Sequence, residues 1–503
     1  MDSSEAFERH YDVAIVGSGA GGGTLAYGLT ALGRRVLLIE QGDFLPREPD
    51  NANEHGVFGG KYVSPEPMEI RGHPWSFPVH AYVGGQTKFY GAALYRLREA
   101  DFGQLEFPDA LSPAWPISYE DLEPYYTAAE RIYHVHGASD DDPTEPPRSA
   151  PYPYPAIGHE PFVEPLLHGL RKQGLHVSSI PKAIDVRQGG RCRFCATCDA
   201  YACPTDGKLD SEVACVLPAL ASGNLTLVTR ARCDRVVTDG AGGRVIDLEV
   251  HHQGRTRSVD ADIYVLACDV VHSPALLLRS ANEAHPNGLA NSSGQVGQNM
   301  CGHNAAWFFL PTLRTMPALH QKTFAVNDYY SGSRDYPYPL GVLQAAGRMP
   351  VWMRTSRWLA PFARAVNDHS LTCFIMSEIC PDPRSRVTIN GSGHIRVDVA
   401  PNNGEGFERL RALFLRHVRK AGYPAAMSPR QPAVGMPWHP VGTLRFGNDP
   451  RTSVLDEWCR THDIQNLYVV DSCFLPSAGS VNTSLTVMAQ ALRVADRIHD
   501  ELH

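Results

Sequence analysis

Apolar positions in this chain follow three patterns. The first is the short unbroken run that buried strands use: Val13-Ala14-Ile15-Val16, Val36 to Ile39, Ile263 to Leu266, and Leu467 to Val470. The second is alternation, around Leu371 to Met376, Arg386 to Ile389 and Ile395 to Val399, which predicts an antiparallel sheet. Shorter strands at 225–228, 235–237, 245–250 and 258–260, with an Ala241-Gly-Gly turn, read as a small antiparallel insertion. The third pattern is helical: from Gly19 to about Leu32, from Phe162 to Gln173, and after His272. Residues 137–155, GASDDDPTEPPRSAPYPYP, are acidic and proline-rich and read as an irregular surface connection. The stretch 304–430 is rich in aromatics (Trp307, Phe308, Phe309, Tyr329, Tyr330, Trp352, Trp358), which are most often core.

Between the first two apolar runs stand Gly17, Gly19 and Gly22 in G-x-G-x-x-G spacing, and Glu40 ends the second run. Gly17 permits the tight strand-to-helix turn. Gly19 lets the backbone approach a pyrophosphate, and Gly22 lets helix and strand pack closely. The phosphates then meet unpaired N–H groups at a helix N-terminus. Glu40 is placed to accept bonds from ribose hydroxyls, and its charge disfavours a 2′-phosphate. The pattern specifies a dinucleotide site and leaves NAD and FAD open.

Composition narrows the classes. At 503 residues, 43% hydrophobic and 20% charged, the chain has the balance of a globular protein with two or more cores. A net charge of −8, from 46 basic and 54 acidic residues, disfavours nucleic acid as a partner. No apolar run approaches the ~20 residues of a membrane helix. The polar start MDSSEAFERH is unlike a signal peptide, so a cytoplasmic location is expected. Twelve cysteines in so long a chain do not suggest a disulfide scaffold. Four of them, Cys192, Cys195, Cys198 and Cys203, form C-x2-C-x2-C-x4-C-P, one residue off a ferredoxin spacing. Thiolates so spaced can hold an iron–sulfur cluster or zinc. Four reduced thiols with no metal is the reading carried forward.

Further on, Gly84, Gly85 and Thr87 lie in a glycine-rich segment, AYVGGQTKFYGAAL, and WPISYEDLEPYY runs from Trp115 to Tyr126. With the N-terminal fingerprint, these stretches resemble the glucose–methanol–choline (GMC) oxidoreductases. The resemblance implies FAD as cofactor and oxidation of an alcohol. Relatives with covalent flavin carry a histidine just after the glycine pair. This chain has Lys88 and Phe89 there, which implies non-covalent FAD. Some family members that pass electrons to another protein are thought to hold a cluster near the cysteine loop.

The resemblance returns at the C-terminal end. His439-Pro-Val-Gly442-Thr443 is similar to the family's catalytic-histidine motif, and Asn482-Thr483 with the helix after it is similar to its partner segment. Oxidising an alcohol moves a hydride from the carbinol carbon to flavin N5 while the hydroxyl loses its proton. A neutral imidazole, with pKa near ~6.5, accepts that proton, and an asparagine amide orients the oxygen without competing as a base. His439 is therefore the expected base and Asn482 its partner. Asp471, Val481 and Thr483 are expected against the flavin. His303 is a further candidate for the site, with a structural role as the commoner case.

The expected architecture is α/β (α+β overall), a doubly wound Rossmann-like FAD domain plus a substrate domain with an antiparallel sheet. The FAD domain would take residues 1–303, including the cysteine loop 190–205 and an antiparallel insertion at 225–262, and would resume at 431–503. Residues 304–430 would form the substrate domain. The expected activity is oxidation of a sugar, glycoside or aminosugar, with O2 or another electron acceptor. Two alternatives stand beside it: a dehydrogenase subunit relaying electrons through a cluster at Cys192 to Cys203, and a non-catalytic flavin-binding protein.

Overall fold

The computed structural model describes residues 5–64, 66–75, 79–313, 322–348, 350, 353, 355–429 and 436–503. Its first unbroken run lies in the strand His10–Val16, which pairs in parallel with Val36–Ile39 on one side and Asp260–Leu266 on the other. Leu225–Val228 and Leu467–Val469 complete a five-stranded parallel sheet, in the order 225–228, 36–39, 10–16, 260–266, 467–469. Every residue of Val36–Ile39 is buried, as the continuous apolar run requires of a strand covered on both faces. The helix Ala20–Ala31 packs on the C-terminal helix Ser484–Glu501, and a Cβ at Gly28 would stand 2.9 Å from that of Ala495. The chain's two ends are thus joined beside the glycine fingerprint.

Two sequence expectations need correcting here. The antiparallel insertion is smaller than 225–262. It comprises Ala231–Thr238, Val245–His252 and Arg255–Arg257, while Leu225–Val228 and Asp260–Leu266 belong to the parallel sheet. A four-residue apolar run fits either kind of strand, and only its partners decide. The alternating segments also do not share one sheet. Ser370–Ile379 lies in a six-stranded antiparallel sheet, in the order 438–441, 301–311, 370–379, 342–345, 324–326, 178–179. Both edges of Ser370–Ile379 are occupied and all ten of its residues are buried, so no edge remains for Arg386–Ile389 and Ile395–Asp398. Those two pair with each other, and Ile395–Asp398 adds in parallel to Met68–Ile70, which pairs in turn with His73–Trp75.

The helix expected over 162–173 is confined to Glu164–Arg171. Tyr119–Ile132 is a helix started by a capping box between Ser118 and Asp121. The connection 137–155 is irregular, as expected. Buried ion pairs hold it down: Arg98 to Asp142, and Arg148 to Glu130 and Glu145. Trp307, Phe308, Phe309 and Tyr330 are buried, Trp358 is exposed, and Trp352 lies outside the described residues. Among the described residues no helix is long and apolar enough to cross a membrane.

Candidate active site

The geometry of the glycine fingerprint suits an anion. Gly17 turns the chain at φ +101°, and a Cβ at Gly22 would stand 1.9 Å from the Gly17 carbonyl oxygen. Around Gly19 nothing would lie within 4 Å of a Cβ. Gly19 caps the helix Ala20–Ala31 without any side-chain bond, which leaves the first-turn N–H groups free for a phosphate. An open space in front of an uncapped helix start fits the pyrophosphate of a dinucleotide. Glu40 is buried at the end of its strand and accepts from Ser18 N at 3.1 Å, Ser18 Oγ at 2.7 Å and Gly42 N at 3.0 Å. Burial raises its pKa, against the pull of those donors.

The Gly84 segment closes over this cradle. Gly84 N donates to Ser18 Oγ at 3.1 Å, and a Cβ on Gly85 would come within 3.0 Å of the Gly19 Cα. Thr87 Oγ1 donates to Gly84 O at 2.5 Å and accepts from Ser211 N at 2.9 Å. Ser211 Oγ in turn donates to Ser18 O and Gly19 O. Lys88 is buried between Glu212 at 2.6 Å and Asp210 at 3.0 Å, and Phe89 stacks on His80. Asp471, just past the edge strand Leu467–Val469, accepts from Ser273 Oγ at 2.5 Å, Asp269 N at 3.1 Å and Cys473 N at 2.8 Å.

His439 and Asn482, 43 positions apart in sequence, lie side by side: Asn482 Nδ2 is 3.2 Å from His439 Nε2. A β-bulge brings His439 there. Between Cys301↔Val441 and His303↔Trp438 one strand advances two residues and the other three. The surplus residue leaves His439 at φ +47°, an uncommon setting of the kind bulges use to re-aim a side chain. Gly302 makes room, since a Cβ there would sit 2.6 Å from Trp438 O. Val481, Asn482 and Thr483 are buried just ahead of the helix Ser484–Glu501, whose cap is Thr483 and not Asn482. Burial drives the His439 pKa well below the ordinary histidine value, and the neighbouring His303 ring and the Lys322 ammonium push the same way.

Three more side chains belong to this wall. His303 Nδ1 is 3.2 Å from His439 Nδ1. Gln344, fully buried, donates from Nε2 to Asn482 Oδ1 at 3.1 Å. Lys322 lies 4.4 Å from the centre of the Phe374 ring and 3.8 Å from Asp199 Oδ1, and that ring stacks with Trp438. The sequence reading missed Gln344 and Lys322. Gln344 leaves a faint sign, a lone amide in the apolar run Val342–Ala345; Lys322 leaves none. The four loop cysteines line one pocket with Lys182 and Lys208, and burial raises the Cys192 and Cys198 thiols. Among the described residues no group of three or more His, Cys, Asp or Glu side chains is arranged to hold a metal ion.

Comparison with known proteins identifies the family. Residues 81–305 and 381–491 match the two models of the GMC oxidoreductase family. The chain is 30% identical to paromamine 6'-oxidase of Streptomyces fradiae, over 98% of this chain and 92% of that one. It is 29% identical to 6'''-hydroxyparomomycin C oxidase of Streptomyces lividus, with the same coverage. The fructose dehydrogenase large subunit of Gluconobacter japonicus is 26% identical over 98% of both chains. Among solved structures, pyridoxine 4-oxidase from Mesorbium loti superposes with a TM-score of 0.70 at 20% identity, covering 97% of this chain and 99% of that one. The parallel sheet with its glycine cradle is the Rossmann-type FAD fold of that family. The chain belongs to the GMC oxidoreductases, FAD-dependent enzymes that oxidise alcohols.

Proposed function

We propose that this enzyme oxidises an alcohol group of a sugar, glycoside or aminosugar to a carbonyl, with His439 as the base. The observation that carries this reading is the half-buried His439–Asn482 pair. Bound FAD supplies the hydride acceptor at its N5. His439 takes the hydroxyl proton, and its low pKa keeps the imidazole unprotonated at neutral pH. Asn482 donates to the substrate oxygen and orients the carbinol. Trp438, next to His439 in the chain and half-buried, is backed by the buried rings of Trp307 and Phe374 and is the aromatic face suited to a sugar. The two Streptomyces relatives, named for paromamine and hydroxyparomomycin, support a carbohydrate-like substrate.

Three finer points complete the proposal. FAD is held without a covalent bond, because Lys88 and Phe89 occupy the positions where a flavin-linked histidine would stand. Residues 1–303 with 431–503 form the FAD domain and 304–430 the substrate domain. The cysteine loop is four thiols and carries no cluster. Acid precipitation should release free FAD, and protein purified without air should contain no iron or zinc. Stoichiometric iron would replace the oxidase reading with an electron-relaying dehydrogenase.

The central test is the anaerobic reaction of enzyme with substrate. His439→Ala should retain FAD yet reduce it about 10²–10⁴-fold more slowly, the range for a lost general base. Asn482→Ala should cost less, because it carries no proton. A His439→Ala enzyme that reduces its flavin at the wild-type rate would remove His439 from the chemistry.

A further inference from the structure

We infer that His303 is a positioning residue that fixes the tautomer of His439, and that Gln344 fixes the face of the Asn482 amide, so that one chain of hydrogen bonds sets both groups. This rests on the reading of His439 as base.

The argument starts at Gly479. Its carbonyl oxygen only accepts, and His303 Nε2 lies 3.1 Å from it, so Nε2 carries the His303 proton. His303 is 1% exposed, and burial holds it neutral by lowering its pKa to about 4, against the pull of backbone groups of Gly479, Trp438 and Ala478 around the ring. A neutral imidazole protonated on Nε2 has a lone pair on Nδ1. The group facing that lone pair at 3.2 Å is His439 Nδ1, which must therefore donate. With its proton on Nδ1, His439 presents a bare Nε2, the nitrogen beside Asn482. When Nε2 takes up the substrate proton, the Nδ1–H bond to His303 strengthens and steadies the imidazolium.

The other end follows from the same chain. A bare His439 Nε2 accepts from Asn482 Nδ2, which leaves Asn482 Oδ1 to accept from Gln344 Nε2 at 3.1 Å and holds the amide on that face. The charged and titratable groups around the relay are few. Lys322 acts on His439 from the neighbouring segment. Glu378, paired in register with His303, accepts from Ala478 N at 3.1 Å and braces the turn that carries Gly479. Burial raises Glu378 to about 8, so at neutral pH it adds little charge.

Two substitutions separate positioning from packing. His303→Gln keeps an acceptor for His439 and a donor for Gly479. His303→Leu keeps the bulk and removes both. We expect His303→Leu to slow flavin reduction about 10- to 100-fold with substrate affinity unchanged, the scale of losing an outer partner of a working histidine, and His303→Gln to recover most of the rate. Equal losses in the two would make His303 a packing residue and overturn the inference, as would a wild-type rate in His303→Leu. A readout independent of activity is the nitrogen-15 spectrum of histidine-labelled wild-type protein, with His439 assigned by its loss in His439→Asn. His439 should show a protonated Nδ1 and a bare Nε2; the opposite tautomer overturns the relay even if His303→Leu fails to fold. Should His439→Ala prove fully active, the base reading falls, and the spectrum still decides the relay.

Discussion

The dinucleotide cradle and the His439 wall solve opposite problems. The cradle, residues 10–40 with their neighbours, works through its main chain: a turn at Gly17, an uncapped helix start at Gly19, and close packing at Gly21 and Gly22. The wall works through side chains, and its members His303, Gln344, His439 and Asn482 come from distant strands and a helix start. The cradle's requirements are steric and local, so they appear as glycines at fixed spacing. The wall's requirements are met by register, a bulge and an unusual backbone angle at one histidine.

The largest effect that would break the comparison lies in the cradle. At Gly21 a Cβ would stand 1.7 Å from Val470 O, and at Gly22 1.9 Å from Gly17 O. Both obstacles are backbone, so no side chain can move aside. Gly22→Ala should give protein that is insoluble or colourless. Gly19→Ala meets nothing within 4 Å and should fold with the wild-type melting temperature as apoprotein, yet bind FAD weakly if the open space is where the pyrophosphate approaches. The ratio of flavin to protein absorbance, read with a melting curve, checks both. Full FAD occupancy in Gly19→Ala would show that the phosphates lie elsewhere. The rate losses expected of His439→Ala and Asn482→Ala come next and leave the cradle untouched.

Legibility in the sequence followed the same division. The first two strands and the helix between them were readable to within a few residues, since a buried parallel strand is a continuous apolar run and Gly17 and Gly33 mark the turns. Leu225–Val228 was assigned to the wrong sheet, because its letters do not say whether its neighbour runs parallel. The assignment of Ile395–Asp398 failed for a related reason: its parallel neighbour, Met68–Ile70, lies more than 300 positions earlier. At the site, His439 and Asn482 stood out only because the segments around them resemble a family's. Lys322 and Gln344 sit in no such segment, and a buried lysine reads on paper as a surface residue.

A stability effect of intermediate size sharpens the comparison electrostatically. On the cradle side, His272 bonds Asp269 at 2.9 Å and Glu66 at 3.0 Å. Burial alone would lower the His272 pKa, but the two carboxylates raise it to about 10, while Glu66, held first by His272, falls to about 2. The His272 contribution is fully present below its unfolded value of 6.5 and is lost as pH rises through about 10. The Glu66 contribution is present above 4.5 and is lost as pH falls through about 2. His272→Gln should therefore lower the melting temperature by a few degrees or more near pH 6, and the gap from wild type should close by about pH 10. A gap that persists unchanged would mean His272 acts by packing. The wall histidines have the opposite sign: His303 and His439 resist protonation, so acid below the ordinary histidine pKa costs stability there.

The smallest expected effect concerns Lys322. Its ammonium is buried against Phe374, with Asp199 as its ion-pair partner, and its charge helps depress His439. Burial remains the main cause of that depression, so removing Lys322 should return only part of it. In Lys322→Gln the acid limb of flavin reduction, where His439 becomes protonated and stops accepting, should move to higher pH by less than about one unit. The plateau rate should hold, because Lys322 makes no bond to His439 or Asn482. The same charge bears on substrate choice. An ammonium next to the reacting carbinol would stand near both Lys322 and a base turning cationic, whereas a hydroxyl or ring oxygen there would be welcome. Among aminosugars, those whose reacting alcohol is flanked by oxygen should therefore reduce the flavin fastest, and Lys322→Gln should narrow that preference. An acid limb that stays in place, with preference unchanged, would assign Lys322 to the Asp199 contact alone and leave burial as the whole reason the base stays neutral.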